Sequence, residues 1–201
     1  MVRLALSLRR TLKRAGAVAA LAGGLALGAA SAAEVMGVTF AERIATGGGE
    51  LVLVNVAALR WKLVFHPYVG GLYVAPGTDP RRWQDDVPKR LELEYFYALA
   101  GKDFGPAGEQ VLAQNVSSER LAALRARIDR IAALYVDVVP GDRYALTYHP
   151  GRGTELAKNG RALGVVEGAD FAAAYFSIWL GDEPISDAFR DRLLAPAGDS
   201  E

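Results

Sequence analysis

Leu59-Arg60-Trp61-Lys62-Leu63-Val64-Phe65-His66-Pro67-Tyr68-Val69-Gly70-Gly71-Leu72-Tyr73-Val74 is the stretch of this chain that decides its fold. β-Branched and aromatic residues dominate from Arg60 to Val74, which predicts strand. Pro67 has no N–H to give to a ladder and Gly70-Gly71 has no side chains to pack, so a bulge or bend is expected between them. Arg60 is the anomaly. Val56-Ala57-Ala58-Leu59 precedes it and Trp61 follows. A cation among such neighbours is costly unless an acid pairs with it or an anion binds it. On a regular strand Tyr68 shares the face of Arg60, whereas Tyr73 does so only if the bulge shifts the register.

Strands and turns surround this segment. Val35–Phe40 alternates loosely as a first strand, and Gly47-Gly48-Gly49 makes a hairpin turn into Leu51–Val54. No Gly-Lys-Ser/Thr follows those glycines, so they are not a phosphate loop. Asp79-Pro80-Arg81-Arg82-Trp83 starts a short helix. Arg90–Phe96 alternates polar and apolar residues, the pattern of a strand with one wet face.

The middle of the chain is helical. Phe104, Gly108, Val111 and Asn115 fall on one face of a helix whose first turn accommodates Pro106. Ser117 or Ser118 caps a second helix carrying Leu121, Leu124, Ile128 and Ile131. After these come a hairpin through Pro150–Gly153, a second hairpin at Asn159-Gly160 and an amphipathic helix from Phe171 to Leu180. Gly181 closes that helix at C′, and a last helix covers Ser186–Leu194. Strands, helices, then strands and helices again predict an α+β domain around an antiparallel sheet.

The 201 residues are 51% hydrophobic and 23% charged, with no cysteine. That balance is globular, and it excludes disulfides and thiolate chemistry. Residues 1–33 hold Arg3, Arg9, Arg10, Lys13 and Arg14 without one acid. The small-residue apolar run Ala15–Ala30 and Ser31-Ala32-Ala33 follow. This is the pattern of a signal peptide, too short in its apolar part for a spanning helix. The expectation is export to the periplasm, cleavage near residue 33, and a single domain over 34–201 with no stable membrane span. That domain carries 18 basic and 23 acidic residues, a net of −5, which gives nucleic acid no footprint.

Two histidines, His66 and His149, lie far apart without ligands at metal spacing, so no metal or other cofactor is expected. There is no Gly-x-Ser-x-Gly elbow, dinucleotide fingerprint or Walker motif. Asp85-Asp86 and Glu92/Glu94 read as solvated carboxylates. What remains is Arg60, a tyrosine (Tyr68 or Tyr73) and Asn115 converging over an apolar groove, a set that suits a small amphipathic anion. The alternative is Arg60 as a core strut paired with a buried acid.

Leu59-Arg60-x-Lys62-x-x-Phe65-x-x-Tyr68-x-x-Gly71-Leu72-Tyr73 resembles the signature of the chalcone isomerase-like superfamily, in particular its exported bacterial members. Gly37-Val38-x-Phe40, Gly141-Asp142, Asn159-Gly160 and Phe171-(x)7-Trp179-Leu180-Gly181-Asp182-x-Pro184 extend the resemblance over essentially residues 34–195. It implies an open-faced β-sandwich, a large antiparallel sheet with helices packed over one face and a cleft between them. In the ring-closing isomerases the early-strand arginine matches Arg60 and the helix asparagine matches Asn115. Their threonine position holds Tyr68 here, their helix tyrosine position holds Gly108, and their late-helix hydroxyl position holds Ile178, next to Ser177. Loss of that tyrosine removes a donor that would stabilise developing charge.

An arginine and a tyrosine over an apolar cleft are what the fatty-acid-binding members use for a carboxylate. The resemblance therefore implies a non-catalytic binder of a fatty-acid-like ligand. Arg60 would hold the head, Tyr68 or Tyr73 and Asn115 would assist, and Phe104, Val111 and Ile178 would line the tail pocket. An isomerase or intramolecular lyase acting on a phenolic or enone substrate, and a ligand-free interaction module, are the alternatives. Trp61, Trp83 and Trp179 read as packing residues.

Overall fold

The computed structural model describes residues 32–60 and 65–196. The signal peptide expected at 1–33, Trp61, Lys62 and the end of the polar tail therefore fall wholly or almost wholly outside the described residues. Among the described residues nine strands and four α-helices follow in chain order, with one 3-10 turn at Pro80–Arg82. They are β1 (Ala32–Val35), β2 (Val38–Ala41), β3 (Arg43–Thr46), β4 (Gly49–Ala58), β5 (Tyr68–Val74), β6 (Lys89–Tyr95), α1 (Gly101–Asn115), α2 (Ser118–Ala132), β7 (Arg143–His149), β8 (Gly153–Lys158), β9 (Arg161–Val166), α3 (Ala169–Leu180) and α4 (Asp187–Leu194). Strands β3 to β9 form one antiparallel sheet in which spatial order equals chain order, and β1–β2 is a separate hairpin. This is the α+β open-faced arrangement implied by the sequence, with the sheet curled and the helices over one face.

Local chemistry explains most turns. Met36-Gly37 and Asn159-Gly160 both take positive φ at two successive residues, the requirement of a tight two-residue hairpin. The first splits the predicted Val35–Phe40 strand into β1 and β2. Ser117 accepts the Arg120 N–H at 3.2 Å and so caps α2. Pro106 lies inside α1 and not in its first turn.

Four other expectations are corrected. β5 pairs with β6 without interruption from Tyr68 to Val74, and the register shift lies instead in β4 at Leu53/Asn55. Gly70 and Gly71 are needed for space: a Cβ on Gly70 would meet Leu93 and Phe189 at 2.8 and 2.9 Å, and one on Gly71 would meet Phe40 at 2.8 Å. Helix α3 is not amphipathic but buried on all sides from Phe171 to Leu180 apart from Ala173, as a helix between two layers must be. Gly181 has φ −74° and ends α3 in extended backbone. It is glycine because a Cβ there would lie 2.2 Å from Asn115 Oδ1.

Alternation along the strands divides the sheet into two faces. Tyr68, Leu72 and Val74, Leu91, Leu93 and Tyr95, and Tyr144, Leu146 and Tyr148 belong to the main core with α3, Phe189 of α4, and Leu124, Ile128 and Ile131 of α2. The opposite face holds Val56 and Val69 under Phe40 of the β1–β2 hairpin. The expected wet face of β6 is also here, and it is not wet. Glu92 is buried, accepting from Arg90 Nη2 at 2.7 Å and Arg143 Nη1 at 3.0 Å. Arg143 also donates to Glu94 at 2.6 Å and lies over the Phe40 ring.

Lys89, at the start of β6, is the most deeply buried cation among the described residues. Its ammonium donates to the carbonyls of Asp85 (2.9 Å) and Val87 (3.1 Å) and lies 4.4 Å from the Tyr148 ring centroid. Burial lowers its pKa from 10.5 to about 8, against the opposing pull of Asp86 and Asp85. Between pH 8 and 10.5 the unfolded lysine therefore holds a proton that the folded one has released, so the lysine's contribution to stability rises with pH across that window. Burial raises the pKa values of Tyr68, Tyr95, Tyr135 and Tyr175 above 10. Unfolded tyrosines ionise first, and stability falls above that point. Urea midpoints measured from pH 7 to 11 are expected to peak near pH 9, where the several tyrosines overtake the single lysine, and Lys89→Met is expected to flatten the rising limb. A midpoint that falls steadily from pH 8 contradicts the assignment.

Candidate functional site

One end of the sheet opens into a cavity of about 270 Å³. Its wall is assembled from distant parts of the chain. Leu59, Phe65, Pro67 and Tyr68 come from the β4–β5 connection and its ends, and Tyr95 and Leu99 from the end of β6 and beyond. Helix α1 supplies Phe104, Ala107 and Gly108; Tyr175, Ile178 and Trp179 come from α3; Tyr135 and Ile185 complete it. Gly108 faces α3 without a side chain, and the space it leaves is part of the void.

Aromatic contacts fix the wall. Phe104 stacks on Tyr135 at 4.9 Å, and both meet Tyr144 edge-on at 5.5 and 5.1 Å. Tyr68 meets Tyr95 at 5.3 Å and Phe189 at 5.7 Å. The polar atoms are few. Trp179 Nε1–H donates to the Tyr68 hydroxyl at 3.1 Å, and the Tyr135 and Tyr175 hydroxyls share a hydrogen bond of 3.0 Å. Burial raises the pKa values of Tyr68, Tyr135 and Tyr175 above the ordinary 10, so their hydroxyls are neutral at physiological pH. The surface so built is apolar, with a few neutral hydroxyls.

Of the residues singled out from sequence, Tyr68, Phe104 and Ile178 line the cavity. Arg60 follows Leu59 just past β4 and is exposed. Its position removes the premise of the core strut, since a solvated guanidinium needs no buried partner. It also lies beyond the sheet and so shares no strand face with Tyr68. Tyr73 lies on the opposite face of the sheet, paired with Arg90 and near Glu92 and Arg143, and its buried hydroxyl has no hydrogen-bond partner. Val111 packs beside the core outside the cavity. Asn115 serves a different purpose: Nδ2 donates to Val111 O (3.0 Å) and Glu183 O (2.6 Å), and Oδ1 accepts the Glu183 N–H (3.0 Å). It ties the end of α1 to the turn after α3.

Sequence reading missed Tyr95, Tyr135, Tyr175 and Ile185, and assigned Trp179 to packing although it both packs and lines the cavity. Parity along β6 could have found Tyr95, which shares a face with Leu91 and Leu93. No local signal marks Tyr135. Among the described residues no group of three or more His, Asp or Glu could hold a metal ion, and no helix is long and apolar enough to cross a membrane.

Comparison with known proteins adds three findings. The chalcone isomerase-like family profile matches residues 32–195. No protein of curated function matches the chain in sequence. Among solved structures, a fatty-acid binding protein of Arabidopsis thaliana superposes with a TM-score of 0.61 at 15% identity, covering 82% of this chain and 96% of its own. At that identity the likeness is one of fold.

Proposed function

This chain belongs to the chalcone isomerase-like family, and we propose that within it the protein is a non-catalytic binder of a single-chain amphipathic carboxylate, with its tail in the cavity and its head at the mouth beside Arg60. The observation that carries this reading is the wall itself: apolar, aromatic and open at one end. The shared fold of a fatty-acid binding protein supports it. Ring-closing chemistry needs developing charge to be stabilised; the lining carries no charged side chain, and Gly108 stands where the resemblance puts a helix tyrosine.

Magnitudes support a head-group role for Arg60. A methylene takes about the room of a water molecule, ~30 Å³, so 270 Å³ holds on the order of nine. At about 0.8 kcal/mol each these contribute about 7 kcal/mol, from which association removes at least roughly 4. The remainder is millimolar binding. A useful affinity requires a charge-assisted contact at the head, and Arg60, exposed and next in sequence to the lining residue Leu59, is the proposed donor.

The leader-like composition of residues 1–33 supports export, and the proposed site of action is the periplasm. Mass spectrometry of protein recovered from the periplasm, intact and after solvent extraction, tests both points. The expected result is a chain cleaved near residue 33 with a fatty acid in stoichiometric amount. Arg60→Ala is expected to weaken binding of dodecanoate about tenfold and to leave the melting temperature unmoved. An empty protein that ignores acyl ligands sinks the proposal, and absorbance changes on chalcone-type substrates would replace it with the isomerase reading.

A further inference from the structure

We propose that the mouth of the cavity is a docking face for an anionic lipid bilayer, across which the ligand passes between membrane and cavity without entering water. The inference rests on the acyl-binding reading above. Six large apolar side chains are exposed among the described residues, and five of them, Phe65, Tyr97, Leu99, Val136 and Val139, fall on segments that meet at this one end. They come from three segments stitched side by side. The Phe96 N–H donates to Pro67 O at 3.0 Å, Leu99 and Val138 exchange backbone hydrogen bonds at 3.1 and 3.0 Å, and the Phe65 and Tyr97 rings lie 4.4 Å apart. Phe65 and Leu99 also line the cavity, so the exposed patch and the opening are one surface.

Apolar side chains concentrated in this way mark an interaction surface. Charge and position select the partner. From Leu51 to Thr78 the chain holds no acid, and exposed Arg60 follows the cavity-lining Leu59 just past β4. Lys102 stands exposed in the first turn of α1, just beyond Leu99. Exposed Asp103 and Asp137 also lie here, the first in the first turn of α1 and the second accepting the Gly101 N–H at 2.8 Å, so that the positive N-terminal end of that helix offsets both in part. Two exposed cations, Arg60 and Lys102, beside an apolar rim complement anionic headgroups above acyl chains, and Tyr97 suits the interface between them. A protein seated on this surface would close the opening, whereas a bilayer is itself the reservoir of the ligand.

The test compares wild type with Val136→Glu/Val139→Glu, both carrying the same N-terminus because residues 1–33 are apolar in part. Neither valine lines the cavity. Sedimentation with phosphatidylcholine vesicles containing a minority of phosphatidylglycerol is expected to show binding by wild type that falls at least about tenfold in the double variant. Both proteins are expected to bind dodecanoate equally in solution. Equal sedimentation of the two proteins overturns the proposal. So does a wild-type dimer without lipid that the double variant abolishes, because the rim then faces a second copy. Rim-dependent vesicle binding without dodecanoate binding would retire the acyl reading and keep the docking face.

Discussion

Gly108→Leu is expected to abolish acyl binding and to raise the melting temperature. A Cβ at this position meets Ile178 Cδ1 at 3.4 Å and Tyr175 Oη at 3.9 Å, which are tolerable contacts, and the remaining carbons extend into the void. Four carbons at about 30 Å³ apiece take close to half of the 270 Å³. Too little space is left for a tail of useful length. The same change replaces glycine inside a helix, which favours folding by about 0.8–1 kcal/mol, or a few degrees in a domain of this size. Titration with dodecanoate and a thermal melt check the two halves. Wild-type affinity in the variant would mean that the ligand lies elsewhere. Opposite signs for binding and stability are the signature of a cavity maintained for an occupant.

Glu92→Ala is expected to destabilise the fold by about 3 kcal/mol while leaving acyl binding intact. The carboxylate is 7% exposed and takes Arg90 on one oxygen and Arg143 on the other. Its removal leaves Arg90 with Thr147 alone among its side-chain acceptors, and Arg143 with Glu94 and the Thr39 carbonyl. Breaking a buried pair from one side costs roughly 3–5 kcal/mol, and the lower figure applies because the guanidiniums are 16% and 28% exposed. The melting temperature should fall by about 6–12 °C. Since Glu92 lies across the sheet from the cavity, the Kd for dodecanoate should hold at temperatures where the variant is folded. A loss of only a degree or two would show that water enters beneath the β1–β2 hairpin and solvates the arginines.

These two residues show where the sequence was legible. Gly108 stood out because the family resemblance puts a helix tyrosine at its position, and the structure places the gap so left in the cavity wall. Glu92 was read as solvated because alternation along β6 reports two faces but not what covers each. The cover, Phe40 on a hairpin made from the start of the chain, is a long-range fact. Arg60 misled in the opposite sense: its apolar neighbours suggested burial, but the strand ends at Ala58 and Arg60 leaves the sheet for solvent. Turns and helices whose signals are local, such as Asn159-Gly160 and the Ser117 cap, were read correctly. The tyrosines of the wall were not, because Tyr95, Tyr135 and Tyr175 meet only after three separate elements have packed.

The order of strands in the sheet bears on how the chain reaches this state. From β3 to β6, and again from β7 to β9, each strand pairs with the one made just before it. Each closure is therefore short and its entropy cost small. The join between β6 and β7 is different, because all of α1 and α2 intervenes. Two sheet fragments can form early and independently, and the slow event is their union across that long excursion. The cavity wall draws on Tyr68 and Tyr95 from the first fragment, Phe104 and Tyr135 from the excursion and Tyr175 from beyond the second. The binding site is thus among the last parts of the molecule to exist, and its appearance reports complete assembly of the chain.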